Sequence, residues 1–426
     1  MRAEATRAVV TVGVPDLNGT LRVKQLPAGG LSAPDGVTFS DIVFVLDIAD
    51  ALIPRPDGYE GWWPEWSGGF GDLLARTDPA TDRPIAWWPG HRLLFADLYH
   101  RDGTPVAVAP RQVLARLAAA CAGHGLTLAV GSEVEFFLTD PGEPVPATAG
   151  RAYAPAAPEP VMNRVASLLA DSGIGVHSWC AEGGAGQHEV SLSPVDPVQA
   201  ADHVLLCRQA VRHAAAEHGR RAWFMAKPGP GYGNGLHLHL SIHSAERNLL
   251  TPVPGADRPD GVGARCLAGV LDTMAAATAL VTPNVNGYKR LAPHTTAGTT
   301  VTWGSDNRST GVRYLDRGPA SRIEVRTAAG DANPYLVVAA ALAGILHGVE
   351  QSPPLPPPVL GDAYSTGERL PSDLPAATAL LEASRPLSRH LGQALVTHYA
   401  ATRRWEAAAF AGAVTDWELR RYGQAP

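Results

Sequence analysis

Three short stretches alternate apolar and polar positions with a period of two, and in each the polar positions carry charge. They are Gly131-Ser-Glu133-Val-Glu135-Phe-Phe137, His237-Leu-His239-Leu240 and Arg322-Ile-Glu324-Val-Arg326. Side chains on a strand alternate faces, so each stretch puts its ionisable groups on one face and its Val, Leu, Ile or Phe groups on the other. Leu126–Val130 and Phe136–Leu138 flank the two glutamates with apolar residues, which predicts a buried central strand over 126–138. Carboxylates spaced this closely are expensive to bury unless cations neutralise them. Three such strands predict a funnel for metals and anions.

Elsewhere the pattern is helical. Pro110 opens an apolar-periodic run that Gly125 closes; further helices are expected over 161–172, 197–218, 264–281 and 336–348, the last opening at Asn333-Pro334. Short β-like runs at 9–14, 42–46 and 93–97 precede them, and Asp16-Leu-Asn-Gly19 predicts a hairpin turn. A Pro/Ala-rich loop is expected over 141–160, a polar loop over 248–263, a stiff Pro-rich connector over 353–358, and helices over much of the tail. Strands and helices do not alternate as in a doubly wound sheet, so the fold class is α+β, with a domain boundary before Pro110.

Composition narrows the function. The 426 residues are 45% hydrophobic and 18% charged, as in a globular chain with a large core. A net charge of −6 gives no electrostatic case for nucleic acid or an anionic membrane. The start lacks a signal-peptide pattern and no run of 18 apolar residues is present, so a cytoplasmic, non-membrane protein is expected. Cys121, Cys180, Cys207 and Cys266 are scattered and read as reduced thiols.

Glu182 and Glu189 flank a Gly-Gly-Ala-Gly turn that could fold both carboxylates toward one point. Taken singly, that segment reads as an exposed loop, and His237-Leu-His239 as a satisfied histidine pair. Together, five glutamates and a histidine suit two hard divalent ions, Mg²⁺ or Mn²⁺, better than zinc. Arg290, Arg308, Arg313, Arg322 and Arg326 add the cations that phosphoryl transfer needs.

The chain resembles the glutamine synthetase family along nearly its whole length. The matching motifs are Asp16-Leu-Asn-Gly-Thr-Leu-Arg22, Gly131 to Phe137, Glu182 through Gly186-Gln-His-Glu189, Phe224-Met-Ala-Lys-Pro228 and Gly235-Leu-His-Leu-His-Leu-Ser241. They continue with Asn286-Gly-Tyr-Lys-Arg-Leu291, Asp306-Asn-Arg-Ser309, Ser321 to Arg326 and Asn333-Pro-Tyr335. The resemblance implies a small N-terminal β-grasp-like domain (1–108) and a larger catalytic domain (109–426) with a curved antiparallel half-barrel flanked by helices. It implies one metal on Glu135, Glu182 and Glu189 and a second on Glu133, His237 and Glu324. Arg290, Arg326 and backbone at Gly233 would hold glutamate; Ser241, Arg308, Arg313 and Arg322 would hold ATP, with His239 near the phosphates. Arg308, Glu324 and His239 are the residues it places at the chemistry. ATP would phosphorylate the γ-carboxylate of glutamate, and an amine would displace phosphate. Sites between subunits of a homo-oligomer of stacked rings, most simply a dodecamer, are also implied.

One departure bears on the acceptor. Ammonia-using members carry a glutamate six residues after the arginine of the Tyr-Lys-Arg run, and here that position is Thr296. A hydroxyl carries no charge and is a poor base near neutrality. The second ammonium carboxylate has its nearest counterpart at Asp57-Gly58, and Tyr232 replaces an expected asparagine. Trp62, Trp63, Trp66 and Trp179 fall where they could border the amine entrance, although each singly reads as packing. The expected function is therefore a γ-glutamyl ligase for an amine other than ammonia, closest in character to the polyamine and monoamine ligases of the family. An ammonia-using glutamine synthetase and a non-catalytic assembly are the rival readings.

Overall fold

The computed structural model describes residues 9–27, 30–32, 36–154 and 159–424. The first sheet joins β1 (Val9–Pro15), β2 (Leu21–Pro27), β3 (Val37–Ser40), β4 (Asp72–Thr77), β5 (Arg83–Pro84) and β6 (His91–Tyr99), in the order β2-β1-β6-β4-β3 with β5 on β6. Its central pair β1–β6 is parallel and its other pairs antiparallel, the β-grasp-like arrangement expected. The hairpin turn forms as its sequence indicates. Asp16 Oδ1 accepts from the backbone of Asn18 and Thr20, both at 2.9 Å, and Gly19 takes φ +77.

The apolar run at 42–46 behaves differently. A β-like segment is expected there, yet Asp41–Phe44 is a 3-10 turn. Ser40 caps it by accepting from Ile42 N–H, and the turn drives Phe44 and Val45 into the core. A local cap outcompetes a ladder that five apolar residues are too few to secure.

The larger sheet carries the three charged strands. It is built from β7 (Thr127–Thr139), β8 (Val176–Ala181), β9 (Gln187–Val195), β10 (Arg221–Trp223), β11 (Leu236–His243), β12 (Trp303–Ser305), β13 (Val312–Leu315) and β14 (Arg322–Val325). The order is β12-β13-β14-β11-β7-β9-β8, with β10 on β7, and only β12–β13 is parallel. The charged strands β14, β11 and β7 are immediate neighbours. Register brings Glu133 opposite His237, Glu324 opposite both His239 and Arg313, and Glu135 opposite Glu189.

Helices cover the other side of the core: α1 (Pro110–Gly123), α2 (Pro160–Asp171), α3 (Pro197–Glu217), α4 (Gly261–Val281), α5 (Pro334–Gln351), α6 (Leu374–Ala383), α7 (Arg385–Leu391), α8 (Gln393–Gly412) and α9 (Asp416–Tyr422). α4 and α5 have the length and apolarity of membrane spans, but most of each is buried within the fold. They touch backbone to backbone, since a Cβ at Gly269 would meet Gly344 O at 2.2 Å.

One buried arginine ties the first sheet to the helices. Arg111, in the first turn of α1, reaches Asp78 (3.0 Å), Asp97 (3.1 Å) and Asp202 of α3 (3.2 Å). Tyr335 donates its hydroxyl to the same Asp202 at 2.6 Å. Asn333 Nδ2 donates to the carbonyls of Asp16 (3.0 Å) and Leu17 (3.1 Å), which seats the hairpin on the start of α5.

Candidate active site

The register above gathers the charged side chains on one face of the larger sheet, around a cavity of about 370 Å³. Glu133, Glu135, Glu182, Glu189, His237, Glu324, Arg308, Arg313, Arg326, Gly233 and Thr296 all line it. A second cavity of about 640 Å³ adjoins it, sharing Glu133, Tyr153 and Glu189, and is lined by His239, Ser241 and Arg322. The sequence-predicted residues thus divide between two connected spaces. Arg290 lines neither. It is buried behind the first cavity, with Nη2 3.4 Å from His237 Nε2 and from the carbonyl of Arg326.

Hydrogen bonds assign both histidine tautomers. An arginine can only donate, so His237 Nε2 accepts from Arg290 and its Nδ1–H donates to Glu133 Oε2 at 3.1 Å. By the same logic His239 Nδ1 accepts from Arg322 Nε at 3.2 Å, and its Nε2–H donates to Glu133 Oε1 at 2.8 Å. Burial raises the affinity of Glu133 for a proton, but these two imidazole donors outweigh it and hold the carboxyl well below the usual range. Burial raises Glu324 too, but Arg326, which contacts it directly, and then His237 and His239 hold it below its ordinary value; Arg313 also bonds it at 3.0 Å.

The other three carboxylates have no such partners. Glu135 accepts from Gly235 N–H at 2.6 Å, Glu182 from Gly183 N–H at 3.2 Å, and Glu189 from the Ser191 hydroxyl at 2.9 Å. Burial, followed by the carboxylates of Glu133, Glu135 and Glu182, pushes Glu189 up to about 9. Burial and Glu135 likewise raise Glu182. A hard cation among them is what would allow all to ionise together, and a set of carboxylates with one imidazole is the donor chemistry that Mg²⁺ or Mn²⁺ takes.

Glu133, His237 and Glu324, one of the two triads that the resemblance implies, offer ligand atoms within 4.8 Å of one another. The other expected triad is less compact. Glu189 sits in one such group with Glu135 and His237 and in another with Cys180 and Glu182, so Glu135 and Glu182 do not share one group with it. Their own backbone donors, Gly235 and Gly183, hold those two carboxylates apart.

Sequence reasoning missed Cys180, Tyr153 and Gln187, which also line these cavities. The period of two was signal enough for two of them: Cys180 precedes Glu182 by two, and Gln187 precedes Glu189 by two. Cys180 is no thiolate donor, since burial, Glu189 and Glu182 push its thiol up to about 12. Of the tryptophans, Trp63 is core, packed with Val45, Ile53 and Ala401, and Trp62 stacks on His398. Trp66 is 77% exposed, and Trp179 lines a separate apolar groove with Ala166 and Val176.

A curved, mainly antiparallel sheet whose inner face carries five carboxylates, two histidines and several arginines defines an enzyme site for divalent cations and phosphates. The sequence pattern of the glutamine synthetase catalytic domain matches residues 107–422. The chain is 35% identical to the γ-glutamylethanolamide synthetase of Streptomyces coelicolor, covering 97% of this chain and 92% of that one. It is 31% identical to a glutamate–isopropylamine ligase of a Pseudomonas species, over 97% and 94% of the two chains. A solved GmaS–ADP complex superposes with a TM-score of 0.86 at 31% identity, covering 99% and 98%. The chain therefore belongs to the glutamine synthetase family, as its motifs indicated. Ligases of this family use ATP, divalent metals and small-molecule substrates.

Proposed function

We propose that this protein is an ATP-dependent ligase that joins the γ-carboxylate of glutamate to an amine other than ammonia, through a γ-glutamyl phosphate. The observation that carries the acceptor is Thr296. It lines the cavity, is exposed, and turns its hydroxyl back onto the Thr295 carbonyl at 2.7 Å. No carboxylate stands there to hold an ammonium ion or take its proton. An alkylamine or alkanolamine brings its own binding surface, and relatives named for ethanolamide and isopropylamine support this reading.

In this reading Glu135, Glu182 and Glu189 would hold one Mg²⁺ or Mn²⁺ and Glu133, His237 and Glu324 another. Such ions neutralise nucleotide phosphate and polarise the transferred group. The remaining roles belong to the chain. Arg326 and buried Arg290, with the backbone of Gly233, bind and orient glutamate. Arg308, Arg313 and Arg322 meet the phosphates, with Arg308 and Arg313 beside the moving phosphoryl group, and Ser241 meets the nucleotide. His239, held by Glu133 and Arg322, presents a fixed imidazole beside the phosphates. Glu324 orients Arg313 and Arg326 by bonding both. Two domains, 1–108 and 109–426, and a ring assembly with sites between subunits complete the proposal.

The test is phosphate release with glutamate, MgATP and a panel of ammonia, ethanolamine, isopropylamine and putrescine, with products identified by mass. An organic amine should outperform ammonia; ammonia outperforming every other amine would refute the reading.

A further inference from the structure

We infer that Gln187 is a positioning residue, fixing the loop that carries Gly233 to the turn that carries Glu182; this rests on the ligase reading above. Gln187 opens β9 and is only 3% exposed. Its side-chain amide has no freedom left. Oε1 accepts from Gly184 N–H at 3.0 Å, while Nε2 donates to Gly233 O at 2.9 Å and to Asn234 Oδ1 at 3.2 Å. One end faces an N–H and the other faces two oxygens, so the network permits a single orientation of the amide.

The partners on both sides are themselves anchored. Asn234 is fully buried and spends its own NH₂ on the carbonyls of Trp223 (2.9 Å) and Met225 (3.0 Å). On the other side, Gln187 and Glu182 share the closing bond of the turn, Glu182 N–H donating to Gln187 O at 2.9 Å. The two segments meet again where the Tyr232 ring covers Gly183, so closely that a Cβ there would lie 2.7 Å from the ring. Gly233 has no slack either, because a Cβ on it would lie 2.5 Å from Ala226 O.

Gln187 therefore lines the cavity without a spare donor for a substrate. It acts through others: it sets how far the glycine that meets the acid substrate stands from Glu182 and Gly183. No strand ladder joins the two segments among the described residues, since 231–234 is an irregular loop and 182–186 a turn, so side-chain contacts set this distance. Misplacing a substrate-orienting group by an ångström is enough to lose productive binding.

Two near-isosteric variants separate this role from bulk packing. Q187E keeps the acceptor but turns a carboxylate oxygen toward two carbonyl oxygens, and Q187M keeps the volume without any polar contact. With MgATP and the best amine of the panel, the KM for glutamate should rise about tenfold or more in both, while the KM for ATP stays within about twofold of wild type. Glutamate should also raise the Tm of the wild type and fail to raise that of the variants. Unchanged glutamate KM in both variants would overturn the inference, and so would equal increases in the KM for glutamate and for ATP. Wild-type protein that releases no phosphate with glutamate and any amine overturns the ligase reading, and this inference with it.

Discussion

Two clusters of buried charge in this molecule are made from the same kinds of side chain and end in opposite conditions. Around Arg111, three aspartates share one guanidinium whose Nε, Nη1 and Nη2 are all used, and a tyrosine hydroxyl donates to the same Asp202 oxygen that Nε holds. The cluster is closed and joins two parts of the fold. On the inner face of the larger sheet, five glutamates converge, yet the arginines pair with Glu324 and the histidines with Glu133. Glu135 and Glu189 are left with a backbone and a hydroxyl donor respectively, and Glu182 with a backbone N–H and the Cys180 thiol. On the proposed reading, divalent ions and substrate complete this cluster, whereas the Arg111 cluster is complete within the fold. The contrast separates charge that stabilises from charge that works.

The comparison can be broken at its closed end first. Arg111→Leu leaves Asp202 buried without its cation, and we expect a loss of about 3–5 kcal/mol in urea unfolding. If stability changes by less than about 1 kcal/mol, the cluster is not the anchor described here. At the open end the sign reverses. Glu189→Gln removes one of several mutually repelling carboxylates, so metal-free protein should unfold at an equal or higher temperature. Activity should nevertheless fall about 10³-fold, close to 4 kcal/mol of barrier. A variant that is both inactive and destabilised would contradict the distinction.

A third buried group probes the boundary between the two. His203 on α3 is 2% exposed and neither ring nitrogen has a partner among the described residues. Burial, with the Arg83 guanidinium adding to it, pushes its pKa down to about 4. The unfolded chain then binds the proton more readily than the folded one. Its contribution is present above pH 6.5 and is lost as pH falls toward 4, by up to about 3 kcal/mol. His203→Phe should flatten that part of the stability profile measured by denaturant titration; an unchanged slope would assign acid sensitivity elsewhere. The smallest effect concerns specificity. Thr296→Glu should raise the rate with ammonia relative to the best organic amine about tenfold, read from initial rates. An unaltered ratio would move the acceptor choice away from this residue.

Much of this was legible in the residues because it depends on short-range periodicity. The i, i+2 spacing of Glu133 and Glu135, His237 and His239, and Arg322, Glu324 and Arg326 placed each set on one strand face, and the strands proved adjacent. What periodicity does not encode is partner choice. Arg290 carries charge like its neighbours but sits buried behind the first cavity, against His237 and backbone carbonyls. Cys180 and Gln187 share the i, i+2 spacing with Glu182 and Glu189, but their partners, across a strand pairing and within a turn, lie outside that spacing. The run at 42–46 was misread for the converse reason, since its apolar character was real but a serine cap determined its shape.

Thr296 adopts φ +60, a left-handed conformation that a β-branched residue resists. The loop takes it because of its moorings: Arg326 donates to the Thr296 carbonyl at 3.0 Å, and the Thr295 hydroxyl donates to the carbonyls of Arg290 and Ala292. The backbone shape at this position thus belongs to neighbouring residues and not to its own side chain. An evolutionary corollary follows. If Thr296 faces the incoming amine as proposed, it can be exchanged while the loop holds its course, so a lineage built on this scaffold can drift from one acceptor to another without refashioning the rest of the catalyst.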